Sequence, residues 1–115
     1  INTTESIAKA APLQYKVLQW QQQHLGRFHP DTLATARSLA AGCARVPGYD
    51  AEDIEARRLL AAAAEHQLAE GTGTEAAVDD ARHMLAVNLG NAGRFREAAA
   101  LYSLVVQWRQ QHLGP

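Results

Sequence analysis

The sequence predicts an all-α fold, an α-solenoid of about five helices arranged as antiparallel hairpins. Three observations carry this. Apolar residues recur at helical spacing, and no segment shows the period-two alternation of a half-buried strand. The stretch QWQQQHLG, Gln19 to Gly26, returns as QWRQQHLG, Gln107 to Gly114, with Gln21 exchanged for Arg109 across an offset of 88 residues. A third, divergent copy lies between them. EARRLLAAAAEHQLAEG (Glu55 to Gly71) aligns with EAAALYSLVVQWRQQHL (Glu97 to Leu113) at an offset of 42, and the stretch from Ala10 aligns with that from Ala56 at 46. Helix pairs repeating at this period indicate stacked hairpins.

The first helix is expected over about 4–25, with Asn2 as a cap and Glu5 three residues on. Pro12 lies inside it, where it either occupies the early turns or introduces a kink, and Gly26 ends it as a left-handed C-terminal cap. The second is expected over about 31–45: Pro30 favours an extended residue before it, and Asp31 complements the positive end of the dipole. VPGYD, Val46 to Asp50, breaks the chain. A third helix follows over about 51–69, with Asp50 as its cap. EGTGTE, Glu70 to Glu75, is a loop in which Thr72 and Glu75 resemble a capping box for a fourth helix over about 75–91. NAGR, Asn91 to Arg94, turns the chain into a fifth helix over about 95–113.

That last helix has two apolar stripes, one of Ala98, Tyr102, Val105 and Val106 and one of Leu101, Leu104 and Trp108. Arg96, Ala100, Ser103, Gln107 and Gln110 are left for water. So wide an apolar surface implies neighbours on two sides.

Composition narrows the function. At 115 residues the chain is one small domain, 1–115, or a fragment of a longer protein, the reading favoured by its start at Ile1 and its end in HLGP. The apolar fraction of 47% supports a core, and no run reaches the roughly 18 apolar residues of a membrane span. A net charge of −1 lacks the long-range pull on nucleic acid or anionic lipid of a basic domain. The lone Cys43 excludes an internal disulfide and a multi-thiolate zinc site. No secretory leader opens the chain, so a reducing, cytoplasmic setting is the default. Abundant Ala, and Arg in preference to Lys, suit a GC-rich bacterial genome.

At AAPLQYKVLQWQQQHLGRFHPDTLATARSLA (Ala10 to Ala40) the chain resembles the long tetratricopeptide repeat of kinesin light chains, which many bacterial signalling proteins also carry. LAVNLGNAGRFREAAALY (Leu85 to Tyr102) is similar to the general tetratricopeptide pattern. The resemblance implies that Leu85 and Ala86 pack within the first helix of a pair, that Gly93 turns the chain, and that Ala98 and Tyr102 pack the second. It also implies a concave groove lined by first helices: Arg37, Ala41 and Arg45 from one pair, His83, Val87 and Asn91 from the next. The chain departs from the family where paired asparagines often stand, having Arg37 and Ser38 before Leu39 and His83 and Met84 before Leu85. The middle copy is also worn down to small residues at Ala61 to Ala64.

The function expected is therefore a non-catalytic protein-interaction module that takes a peptide or protein segment in that groove. Arginine recognises carboxylates through planar, multiple hydrogen bonds, so an acidic or C-terminal segment is the natural partner. The plainer account leaves Arg37 and Arg45 as solvated surface. The alternative function is structural self-assembly, a homodimer or extended array joined through end helices that lack polar caps. Its face would be Tyr102, Val105 and Trp108, with no following helix to cover it.

No metal or cofactor is expected. His24 and His112 are one repeat position, His29 belongs to a turn, His66 and His83 lie on different helices, and no pair has the i, i+4 spacing of a helical zinc site. GTGTE lacks the preceding strand and the Lys-Ser/Thr partner of a phosphate loop. Cys43 is expected in the core, without an activating base. Trp20 and Trp108 are expected to pack under the next helical turn. No Ser/His/acid set is suggested by spacing, so no enzyme is expected.

Overall fold

Five helices follow one another without a strand among the described residues: α1 (Thr3–His24), α2 (Pro30–Cys43), α3 (Asp50–Ala69), α4 (Glu75–Asn91) and α5 (Phe95–His112). The computed structural model describes the backbone of residues 3–43 and 48–114, and within these the side chains from Lys9 onward. The expected cap Asn2, the side chain of Glu5 and Val46 and Pro47 of the VPGYD breaker lie outside the described residues. The described boundaries agree with expectation to within one residue, and the expected end of the second helix at about 45 lies outside the described residues.

The turns explain the small differences. α1 ends where the Leu25 and Gly26 amides both donate to the Gln21 carbonyl, and Gly26 has φ 100°, a left-handed conformation that suits glycine. α2 then starts on Pro30, whose missing N–H costs nothing in a first turn. The His29 ring accepts the Asp31 amide through Nδ1 at 3.1 Å, so His29 works as the cap. Buried Thr32 donates to the Gly26 carbonyl at 2.9 Å and ties the turn to the helix it opens.

Two caps differ from expectation. Asp50 is the first residue of α3 rather than its cap, and with Glu52 and Asp53 it puts negative charge on the positive end of the dipole. Thr74, not Thr72, caps α4 by accepting the Ala77 amide at 3.1 Å. Thr72 closes the preceding helix instead, its hydroxyl donating to the Gln67 carbonyl at 3.2 Å. Gly73 lies so close to α3 that an added Cβ would sit 2.9 Å from Gln67 Cβ.

The chain divides into two compact units, Ile1–Ala63 and Ala64–Pro115, with the division inside α3. In the first, α1 packs on α2. Leu18, Leu33, Leu39 and Cys43 join Ala56 and Leu59 of α3 in one core, with Tyr15, Phe28 and Tyr49 around it. In the second, α4 packs on α5, burying Val78, Leu85, Ala86 and Leu89 with Ala98 and Val105. No helix among the described residues is long and apolar enough to cross a membrane.

Two buried acids titrate out of place in the first unit. Desolvation, with the nearby Asp53 and Glu52 charges, pushes the Cys43 thiol up to about 11. Burial raises the Asp53 carboxyl above its ordinary value, opposed by Arg57 at 3.6 Å.

Candidate functional site

The residues predicted to line a groove fall on two helices, one in each unit. Arg37 and Ala41 stand one turn apart on α2 and are both exposed, while Arg45 lies outside the described residues. His83, Val87 and Asn91 make a row at i, i+4 and i+8 on α4, the first two half-buried and the last exposed. His83 is engaged by its own unit: its Nδ1 accepts from Arg109 Nη2 at 3.3 Å, and its ring meets Tyr102 edge-on at 5.9 Å.

Around His83 lies a polar cluster between α4 and α5. Arg109 donates from Nε to Asp79 Oδ2 at 2.9 Å, and Asp79 is buried. Trp108 donates its indole N–H to Glu75 Oε2 at 3.1 Å, and His112 Nε2 lies 3.2 Å from the same oxygen, an ion pair when the ring is protonated. Arg82 pairs with Glu65 of α3 at 3.2 Å. These groups border a cleft of about 390 Å³ lined by Glu65, Leu68, Glu75, Val78, Asp79, Arg82 and Trp108. Each of its three carboxylates already meets a donor of the same unit: Glu65 meets Arg82, Glu75 meets Trp108 and His112, and Asp79 meets Arg109. Spacing concealed this cluster, because its partners lie about 30 residues apart. The one signal was the exchange of Gln21 for Arg109 in an otherwise identical motif.

The trio expected as a self-association face does not form one exposed surface. Val105 is buried in the α4–α5 hairpin, Trp108 is half-buried and bonded to Glu75, and only Tyr102 is marginally exposed. The reason is rotational. α4 takes the side of α5 that carries Val105, leaving Leu104 and Val106 on the flank that faces water. Arg96, Ala100, Ser103, Gln107 and Gln110 are exposed, as the periodicity implied.

The duplicated motif has the same local structure twice. Trp20 stacks on His24 at 4.5 Å and 15°, and Trp108 on His112 at 4.6 Å and 16°. In both, His Nδ1–H donates to the tryptophan carbonyl at 2.9 Å, since a carbonyl can only accept. The tryptophans thus pack over the next helical turn. Their settings differ. Leu13 and Val17 of α1 are 64% and 48% exposed, whereas Val105, the counterpart of Val17, is 4% exposed. Among the described residues no group of three or more His, Cys, Asp or Glu is placed to hold a metal ion. Compared with protein-family models, curated proteins and solved structures, the chain matches none of them.

Proposed function

We propose that the chain is a non-catalytic, tetratricopeptide-like interaction module that binds a peptide or protein segment along the first helices of its hairpins. The observation that carries this reading is the twin turn. Two segments 88 residues apart close their helices with the same Trp–His stack and the same glycine, as units of a repeated hairpin would. The exposed pair Arg37 and Ala41 supports a partner with carboxylates, since a guanidinium beside a small residue leaves the helix backbone approachable.

The test is fluorescence polarisation with a pool of short acidic peptides ending in a free carboxylate. Binding by the natural chain that Arg37→Glu weakens at least tenfold, with the helical circular dichroism unchanged, is the expected outcome. Equal binding by the two chains would remove the groove from the reading.

A second reading, self-assembly, is favoured by the exposed apolar residues Leu104, Val106 and Leu113 on α5 and its end. Light scattering coupled to size-exclusion chromatography tests it. Val106→Asp should convert an assembled species to monomer, and a natural chain that is monomeric at all concentrations would end this reading.

A further inference from the structure

Identical residues in the two copies of the motif differ in burial according to one neighbouring helix. Ala98, Leu101, Val105 and Trp108 follow one side of α5, the side toward α4, and are buried or half-buried. Their counterparts on α1 are Ala10, Leu13, Val17 and Trp20, the same residue type at each place. There the last three are exposed. The neighbouring side of α1 behaves in the opposite way. Ala11 and Leu18 are buried in the core shared with α2, whereas their counterparts Ala99 and Val106 on α5 face water. Among the described residues of its own unit, α1 is thus packed on one side by α2, while the side equivalent to the one that α5 turns toward α4 is exposed.

That uncovered side forms one wall of a mainly apolar groove of about 430 Å³. Leu13, Gln14 and Val17 stand on α1, Ala34, Thr35 and Ser38 on α2, and a Gln14–Ser38 hydrogen bond of 3.0 Å crosses it. The geometry points to this groove as a seat for one amphipathic helix bearing α4's own face, laid antiparallel to α1 as α4 is to α5. α4 shows what such an occupant needs. Glu75 accepts the Trp108 indole N–H, and the exposed Trp20 stands at the equivalent place on α1. Val78, Leu85 and Leu89 supply the buried apolar row.

One position must differ. Asp79 is buried on Arg109, but the equivalent of Arg109 on α1 is Gln21, which carries no charge. A carboxylate there would be desolvated without a cation, so the occupant carries a neutral amide at that place. The register of the two copies, the exposure of Leu13 and Val17 and the α1–α2 groove all point to the same seat. It is separate from the groove reading, and Arg37→Glu should leave it untouched.

The probe is a synthetic peptide of residues 74–92 carrying Asp79→Asn, titrated to millimolar into the full chain with labelled Leu and Val methyl groups. Saturable shifts are expected at Leu13 and Val17 and not at Leu101 or Val105. The peptide with Asp79 intact should bind roughly tenfold more weakly, the penalty of an unpaired buried carboxylate. Leu13→Asp in the full chain should abolish the shifts without loss of helicity, because that side chain is exposed when the groove is empty. The inference is overturned if Leu13 and Val17 do not respond, or if only Leu101 and Val105 do, which would mean exchange with the chain's own α4. It is equally overturned if Leu13 and Val17 shift with protein concentration alone, the mark of a second copy in the groove, or if the two peptides bind alike.

Discussion

The Trp20 turn of α1 and the Trp108 turn of α5 are almost the same eight residues, and they fold into the same stack with the same His–carbonyl hydrogen bond. Beyond those few ångströms they part. Around Trp108, α4 brings Glu75, Asp79 and His83, and the indole, guanidinium and imidazole are all engaged. Around Trp20 the indole is exposed, and the side-chain oxygen of Gln21 is buried without a hydrogen-bond partner. A local motif is thus a matter of residues within one or two turns of one another. Its energetic role is a matter of which helix arrives beside it.

The largest test of this contrast sets Leu18 against its counterpart Val106, which are 0% and 50% exposed. Leu18→Ala should cost about 2–5 kcal/mol in urea unfolding, through lost burial and the cavity left behind. Val106→Ala should stay within about 0.5 kcal/mol. A comparable loss at both sites would break the comparison, because it would require the far side of α5 to be covered in solution.

Next comes the single exchange within the motif. Arg109→Gln makes the second copy read like the first and strands the buried Asp79 carboxylate, an expected loss of about 1–3 kcal/mol given the partly exposed guanidinium. Gln21→Arg makes the first copy read like the second without removing the partner of a buried acid, so it should change stability by less than about 0.5 kcal/mol. Thermal melts of both variants would sharpen the contrast, and equal effects would dissolve it.

A third contrast lies at Cys43 and Leu89, equivalent at the offset of 46 and both buried. The Cys43 thiol, pushed up to about 11, is neutral at physiological pH, so native protein should resist iodoacetamide at pH 8 and react once unfolded. Its proton is held more tightly folded than unfolded. The stability it contributes is therefore full below its ordinary value of 9.0 and lost as pH rises toward about 11. Tyr15 adds to this alkaline loss, its pKa raised by the Glu55 hydrogen bond and by burial. Asp53 has the same sign at the acid end, so its share of stability declines as pH rises from 3.8 through its raised folded value. Replacing Cys43 by Leu should flatten the alkaline limb of a stability–pH profile, and an unchanged limb would assign it to Tyr15.

The smallest effect is spectroscopic. With Trp108→Phe the remaining Trp20 should emit further to the red and be quenched more by acrylamide than the Trp108 left in Trp20→Phe, in keeping with their exposures. Matching quenching would mean that Trp20 is covered in solution.

Much of the fold was legible residue by residue. The five helices follow apolar spacing broken by HPDT, VPGYD, EGTGTE and NAGR, and the observed limits differ little from the expected ones. Thr72 and Thr74 both precede Glu75, so the sequence alone favours Thr72 as the α4 cap, and only the backbone shows that Thr74 stands at the helix start. Of the candidate groove, Arg37 and Ala41 are exposed, and the engagement of His83 by Arg109 and Tyr102 is not visible in the spacing. Periodicity sorts a helix into sides without naming the side that will meet a neighbour, which is why Val105 reads as part of an open face and is buried.

What the sequence determined by itself is everything held by contacts a few residues apart: helix limits, left-handed glycines at 26 and 114, and the twin Trp–His stacks. What only the tertiary structure decided is which flank of α1 and of α5 is buried, and with it the Asp79–Arg109 pair and the open groove beside Leu13. Each of those helices carries apolar residues on two flanks. Burial needs a second surface, and a chain's own residues cannot say which surface arrives until the helices have packed.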